Sequence, residues 1–268
     1  MSKLLTEELI QLERDLKRLK KELFIEMITE GVDDPGILKC VFLAGGPGSG
    51  KSYTAKEIFG VGKTAISSVS AGGLKLVNSD TAFEAQLKKN GIDGKELARI
   101  EKEEPALWKQ ITEDPNGVRE LSKKTTAKIK GFYEAGRLGM IIDGTGDDVA
   151  KIQRQKREAE ALGYDTFMIF VNTSLEVAQY RNSMRDSRRL PDNLLIPSWK
   201  ECQNNLGKFQ TMFSSANFRI VDNSKNGNNV SSDCKKHVDM FIHSGINNPI
   251  GKKWVTTQLM LKNANIIK

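Results

Sequence analysis

The residues Gly45-Gly46-Pro47-Gly48-Ser49-Gly50-Lys51-Ser52 follow an apolar run, KCVFLA at 39–44, and precede a stretch with helical spacing. Strand, glycine-rich turn, helix is the context in which G-x-x-x-x-G-K-[ST] folds around phosphate. The glycines let the backbone wrap close to anionic oxygens with its N–H groups inward. The helix N-terminus adds positive potential, Lys51 spans the terminal phosphates, and Ser52 offers a hydroxyl to magnesium. Gly45 to Ser52, with Tyr53 beside them, are therefore the expected nucleotide-binding stretch, and ATP and Mg2+ the expected cofactors. A second string, GVGKT at 60–64, has Glu57 where the first glycine of the pattern belongs and no strand before it. It is assigned to a loop over 60–73, with Lys63 outside the site.

A phosphate-binding turn of this kind belongs to a parallel sheet, and the rest of the chain supplies one. Apolar runs at 39–44, 74–78, 139–143, 167–172 and 218–223 read as five strands. Helical spacing occupies 51–59, 81–90, 94–104, 117–136, 148–162, 174–187, 197–213 and 230–243, with a weaker helix from about Lys252. The expected class is α/β: a phosphate-loop kinase fold, with a five-stranded parallel sheet flanked by helices and a helical lid. Leucines at 5, 9, 12, 16, 19 and 23 lie on one stripe of an N-terminal amphipathic helix, which docks on the domain or pairs with a second copy. The expected division is 1–30 for that helix, 31–245 for the kinase-like domain and 246–268 for a basic tail. No run reaches the roughly 18 apolar residues of a spanning helix, so a cytoplasmic protein without membrane contact is expected.

Cys40, Cys202 and Cys234 are odd in number and lack C-x-x-C spacing, and His237 and His243 lie six apart without a nearby cysteine. Neither a disulfide framework nor a zinc site follows. The net charge is +7, and residues 119–137 hold six basic side chains against two acidic, while 235–268 hold six lysines against one acid. Such stretches either keep the protein soluble or attract polyanions, DNA and RNA among them.

The third strand ends IIDGTG. Asp143, at its C-terminal edge, is placed to hold magnesium with Ser52. A motor ATPase would follow this aspartate with glutamate, but Gly144 follows; a GTPase would carry N-K-x-D, which is missing. The second strand runs into VNSD, so Asp80 either takes a proton from an attacking hydroxyl or, with Ser79, caps the next helix. Arg181, Arg185 and Arg188 or Arg189 fall at helical spacings, as in a lid that brings cations to a migrating phosphoryl group.

The pieces FLAGGPGSGKS, GLKLVNSDTAFE, LGMIIDGTGDD, LGYDTFMIFVNTSLEVA, RNSMRDSRRLP and FRIVDNS, spread over about 39–223, resemble the zeta-toxin-like small kinases, in particular the phage-encoded ones. The resemblance implies a central phosphate-loop strand, ATP as donor and a hydroxyl as acceptor. It implies Asp80 as general base, Asp143 and Thr145 on the acceptor or magnesium side, Arg181, Arg185 and Arg189 on phosphates, and Asn223 near the adenine. Zeta toxins acting on UDP-N-acetylglucosamine usually carry a glutamate-bearing motif after the third strand. Here DGTGDD stands instead, so the acceptor stays open among nucleotides, nucleic acid (including DNA with hydroxymethylated bases) and sugar nucleotides. A nucleic-acid-binding protein with a regulatory ATP site and a phage assembly factor are the alternatives.

Overall fold

The computed structural model describes residue 32 and residues 36–60, 69–70, 72–185, 189–225 and 232–265. The expected N-terminal helix, Lys63 and Arg188 lie outside the described residues. Five strands form one parallel sheet: β1 (Lys39–Ala44), β2 (Lys75–Val77), β3 (Met140–Asp143), β4 (Asp165–Asn172) and β5 (Phe218–Asp222), in the order β2-β3-β1-β4-β5. The phosphate-loop strand is central, as expected. β1 is buried along its whole length, which is why it reads as an unbroken apolar run rather than an alternating one.

Helices cover both faces. On one side, α1 (Lys51–Phe59) and α10 (Ser232–His243) pack Ala55, Phe59, Val238 and Phe241 against Val41 and Leu43. On the other, α5 (Val118–Gly136), α6 (Val149–Ala161), α8 (Asp192–Asn204) and α9 (Leu206–Phe213) bring Tyr133, Ile152, Cys202 and Phe213 onto Cys40, Phe42 and Ala44. Phe42 and Phe213 meet with ring centroids 5.4 Å apart. Truncating either to alanine should cost roughly 3–5 kcal/mol. Between β2 and β3 the chain builds a separate small cluster from α2 (Ser79–Lys89), α3 (Leu97–Glu103), α4 (Pro105–Thr112) and the start of α5, with Phe83, Leu87, Ile100 and Ile111 inside.

Several boundaries differ from expectation, three of them among the helices that surround the site. The helix expected over 174–187 is α7 (Leu175–Ser183). It stops there because buried Asn182 spends its amide on the returning chain, donating to the Leu190 carbonyl at 2.7 Å and accepting the Leu190 N–H at 3.0 Å. The helix expected over 197–213 is two, α8 and α9, broken at Asn205, and α8 starts right after Pro191. α4, with Pro105 at its start, was not expected.

The C-terminal residues carry α11 (Pro249–Asn263), capped by Asn248, with Trp254 and Val255 partly buried against the sheet-side cluster. Asp165 holds this end in place. Its carboxylate accepts the N–H groups of Asn247 and Asn248 and the ammonium of fully buried Lys39, all between 2.9 and 3.1 Å. Among the described residues no helix is long and apolar enough to cross a membrane.

Candidate active site

The turn from β1 into α1 places the glycine-rich residues at the C-terminal edge of the sheet. Gly50 holds φ 88°, and a Cβ there would sit 2.2 Å from Asn223 Nδ2. Gly48 holds φ 76°, and a Cβ there would sit 2.4 Å from the Ala178 carbonyl of α7. Left-handed backbone and close neighbours both demand glycine. Lys51 begins α1 and lays its ammonium on the loop, 2.7 Å from the Gly45 carbonyl and 3.4 Å from that of Gly46. Pro47 and Ser49 are buried, Ser52 is exposed on the first turn, and Tyr53 is 42% exposed beside it.

Two other elements reach this loop. Buried Asn223, just past β5, donates its amide to the Ser49 carbonyl at 2.8 Å. Arg181, in the last turn of α7, directs Nη1 at the same carbonyl from 3.5 Å. Arg185 and Arg189 are exposed and lie beyond the end of α7. The single helix face expected to carry all the arginines therefore does not form, and Arg181 alone is brought against the loop by α7.

On the β2–β3 side, Asp143 is the last residue of β3 and Asp80 lies in the first turn of α2. The cap of α2 is neither Ser79 nor Asp80. It is Asn78, whose Oδ1 accepts the Asp80 N–H at 2.7 Å, leaving the Asp80 carboxylate half exposed. Arg119, from the first turn of α5, lies 3.8 Å from Asp80 Oδ1 and over the Phe83 ring, 5.2 Å from its centroid. At this exposure the ion pair is worth little in stability; its effect is to place a guanidinium beside the carboxylate.

The loop 144–148 between β3 and α6 is fixed from several directions. The Thr145 carbonyl accepts the Gly45 N–H at 3.1 Å and the Cys202 thiol at 3.0 Å. Burial pushes that thiol up to about 12, so it remains a donor at neutral pH. The exposed Thr145 hydroxyl donates to Asp147, whose other oxygen accepts from Ser198 at 2.6 Å, and Asn205 donates to the carbonyls of Gly146 and Asp147. A cleft of about 220 Å³ runs beneath the loop, with Asp143, Asp147, Asp148 and Lys151 among its walls. α8 also reaches the glycine-rich loop, where Trp199 packs beside Gly46 and donates to the Thr173 carbonyl at 3.1 Å.

Among the described residues no three His, Cys, Asp or Glu side chains cluster as metal ligands. Magnesium is commonly held by one or two protein oxygens together with substrate phosphates; the expected pair stands as exposed Ser52 in the first turn of α1 and Asp143 at the end of β3, whose Oδ2 accepts from Asn78.

Sequence reasoning did not find Asn78, Arg119, Ser198 or Trp199. Only Asn78 carried a local signal, an asparagine directly before a helical run.

No family model matches the chain, and no curated protein matches it. Among solved structures it is similar to one from the PezAT chromosomal toxin-antitoxin system of the human pathogen Streptococcus pneumoniae, at 14% identity, 94% of each chain and a TM-score of 0.49. It is also similar to a chain of the AvrRxo1-ORF1:AvrRxo1-ORF2 complex with sulphate ions, at 14% identity, 90% of this chain, 71% of that one and a TM-score of 0.49. A structure of AvrRxo1-ORF1:-ORF2 with ATP is matched at 12% identity, 86% of this chain, 73% of that one and a TM-score of 0.45. Identities and scores this low leave the site to be read from the chain's own residues.

Proposed function

We propose that this chain is an ATP-dependent kinase that transfers the γ-phosphate to a hydroxyl of a nucleotide, a nucleic acid or a sugar nucleotide in the cytoplasm. One observation carries this reading: Asp80, with its carboxylate half exposed, stands two strands from the phosphate-binding loop on the same edge of the sheet. A nucleotide hydrolase needs no such group on that side, whereas a kinase needs a proton acceptor where a second substrate enters.

The roles follow from position. The loop 45–50 and Lys51 hold the triphosphate, and Arg181, with Arg185 and Arg189 on the chain that follows it, offsets charge on the migrating group. Asp80 accepts the proton of the acceptor hydroxyl. Magnesium, held by Ser52 and Asp143, supplies charge neutralisation on the phosphates. Thr145, Asp147 and the cleft beneath them form the acceptor side, and Asn223 braces the nucleotide loop from beneath. Asp147 and Asp148 outnumber the single lysine of that cleft, Lys151, which favours an uncharged, hydroxyl-rich portion of the acceptor there.

Incubation with γ-labelled ATP and a panel of nucleosides, nucleotides, sugar nucleotides, RNA, DNA and DNA with hydroxymethylated bases tests the reading. Label should move to at least one class with wild-type protein and to none with Lys51→Ala. Binding of ATP and of DNA or RNA without transfer to any acceptor would instead identify a nucleic-acid-binding protein with a regulatory ATP site.

A further inference from the structure

β2 and β3 run in parallel register, with Leu76 opposite Ile141 and Val77 opposite Ile142. The next position on β2 is Asn78 and the next on β3 is Asp143, so the pairing continues one step past the ladder through side chains. Asn78 Nδ2 donates to Asp143 Oδ2 at 2.8 Å, while its Oδ1 accepts the Asp80 N–H at 2.7 Å. One amide thus joins the two carboxylate-bearing positions of the site. Capping alone does not call for asparagine, since serine and aspartate cap helices about as well. Donating and accepting at once, across this span, does: aspartate has no donor when ionised, and a serine hydroxyl sits on a shorter side chain.

We propose that Asn78 is a positioning residue, which turns the Asp143 carboxylate for a divalent ion and fixes the first turn of α2, and with it Asp80, in the same frame. This rests on the kinase reading for the purpose of the two carboxylates, but not for the geometry. A residue acting behind a metal ligand typically changes metal affinity about 10–100-fold when removed, whereas a pure helix cap changes only stability.

Two substitutions separate the two roles. Asn78→Ser keeps a cap and loses the amide donor to Asp143; Asn78→Ala loses both. The measurement is the magnesium dependence of binding of a fluorescent, non-hydrolysable ATP analogue, taken together with melting temperature and, where transfer is seen, with kcat against KM. The magnesium concentration for half effect should rise at least about tenfold in both variants. Magnesium-free affinity for the analogue should stay at the wild-type value in both, and both should melt lower for the lost hydrogen bond to Asp143, Asn78→Ala by roughly a further 2–4 °C for the lost cap. A wild-type magnesium dependence in Asn78→Ser, or a magnesium effect that merely follows melting temperature, would overturn the proposal. If wild type transfers no phosphate yet the magnesium shift appears, the kinase reading fails and the positioning role stands. If transfer occurs and Asn78→Ser shows wild-type magnesium dependence, the positioning role fails and the kinase reading stands.

Discussion

The Asn223 amide lies 2.8 Å from the Ser49 carbonyl and occupies the space that a Cβ on Gly50 would need, which makes the end of the last strand a brace under the phosphate-binding loop. The brace is anchored at its own backbone, where the Asn223 N–H donates to the Asn172 carbonyl at 2.9 Å. Loop conformation and sheet edge are therefore one unit.

Removing the brace should loosen nucleotide binding. Asn223→Ala takes a hydrogen bond from a buried carbonyl, a loss of about 1–3 kcal/mol, and should weaken ATP-analogue binding by about tenfold. Gly50→Ala adds left-handed strain of roughly 1–2 kcal/mol and drives its methyl into Asn223, so it should weaken binding further. Calorimetric titration and thermal melts check both; unchanged affinity in Gly50→Ala would show that the loop does not hold the nucleotide.

On the proposed reading Arg181, only partly buried and next to the Ser49 carbonyl, acts through its charge rather than through the fold. Arg181→Ala should lower kcat by about 10²-fold, the range seen when one preorganised donor to a transition state is lost. Melting temperature should barely move. Arg185→Ala and Arg189→Ala, beyond the end of α7, should each cost less than Arg181→Ala. Single-turnover kinetics on all three orders them.

Ser198→Ala removes the 2.6 Å hydrogen bond to Asp147 and frees one wall of the cleft. ATP-analogue affinity should stay within twofold, while KM for the acceptor should rise roughly five- to tenfold, the kinetic pattern of lost acceptor binding. A change confined to ATP affinity would move Asp147 to the nucleotide side.

Burial holds the Lys39 ammonium below the ordinary lysine range, and the neighbouring Asp165 charge and hydrogen bond oppose that shift. Asp165→Asn removes the opposing charge and should destabilise the protein by about 3–5 kcal/mol. The sign with pH follows from proton counts. A folded-state lysine value below the unfolded one means the unfolded chain binds more protons between them, so stability rises with pH across that interval. The variant, with the folded value lower still, should recover stability over a wider interval below the ordinary lysine value than wild type, read by urea titrations at a series of alkaline pH values.

Much of the fold was legible because β1, β3 and β4 are buried on both faces over most of their length. Runs such as VFLA and FMIFVN can then mean little else than central parallel strands, and all five strands were found near their observed bounds. β4 begins two residues earlier than expected, at Asp165, because that charged residue is admitted to the sheet edge by Lys39. The helix boundaries failed at prolines. Pro105 starts α4 where a loop was expected, and Pro197 lies inside α8 although it reads as a first-turn residue. The glycine-rich turn between β1 and α1 was legible as a turn, since its residues are contiguous. The arginine face was not, because the Asn182 clamp that ends α7 depends on a partner eight residues on. Arg119, brought to Asp80 by the packing of α5 on α2, left no local mark at all.

The most direct measurement of the central claim is transfer of γ-label from ATP by wild type and by Asp80→Asn, with ATP-analogue affinity measured on the same preparations. Asp80→Asn should bind the analogue within twofold of wild type and transfer label at least about 10²-fold more slowly, as loss of a general base requires. Transfer by Asp80→Asn at the wild-type rate, or binding of ATP by wild type without transfer to any hydroxyl acceptor, would contradict it.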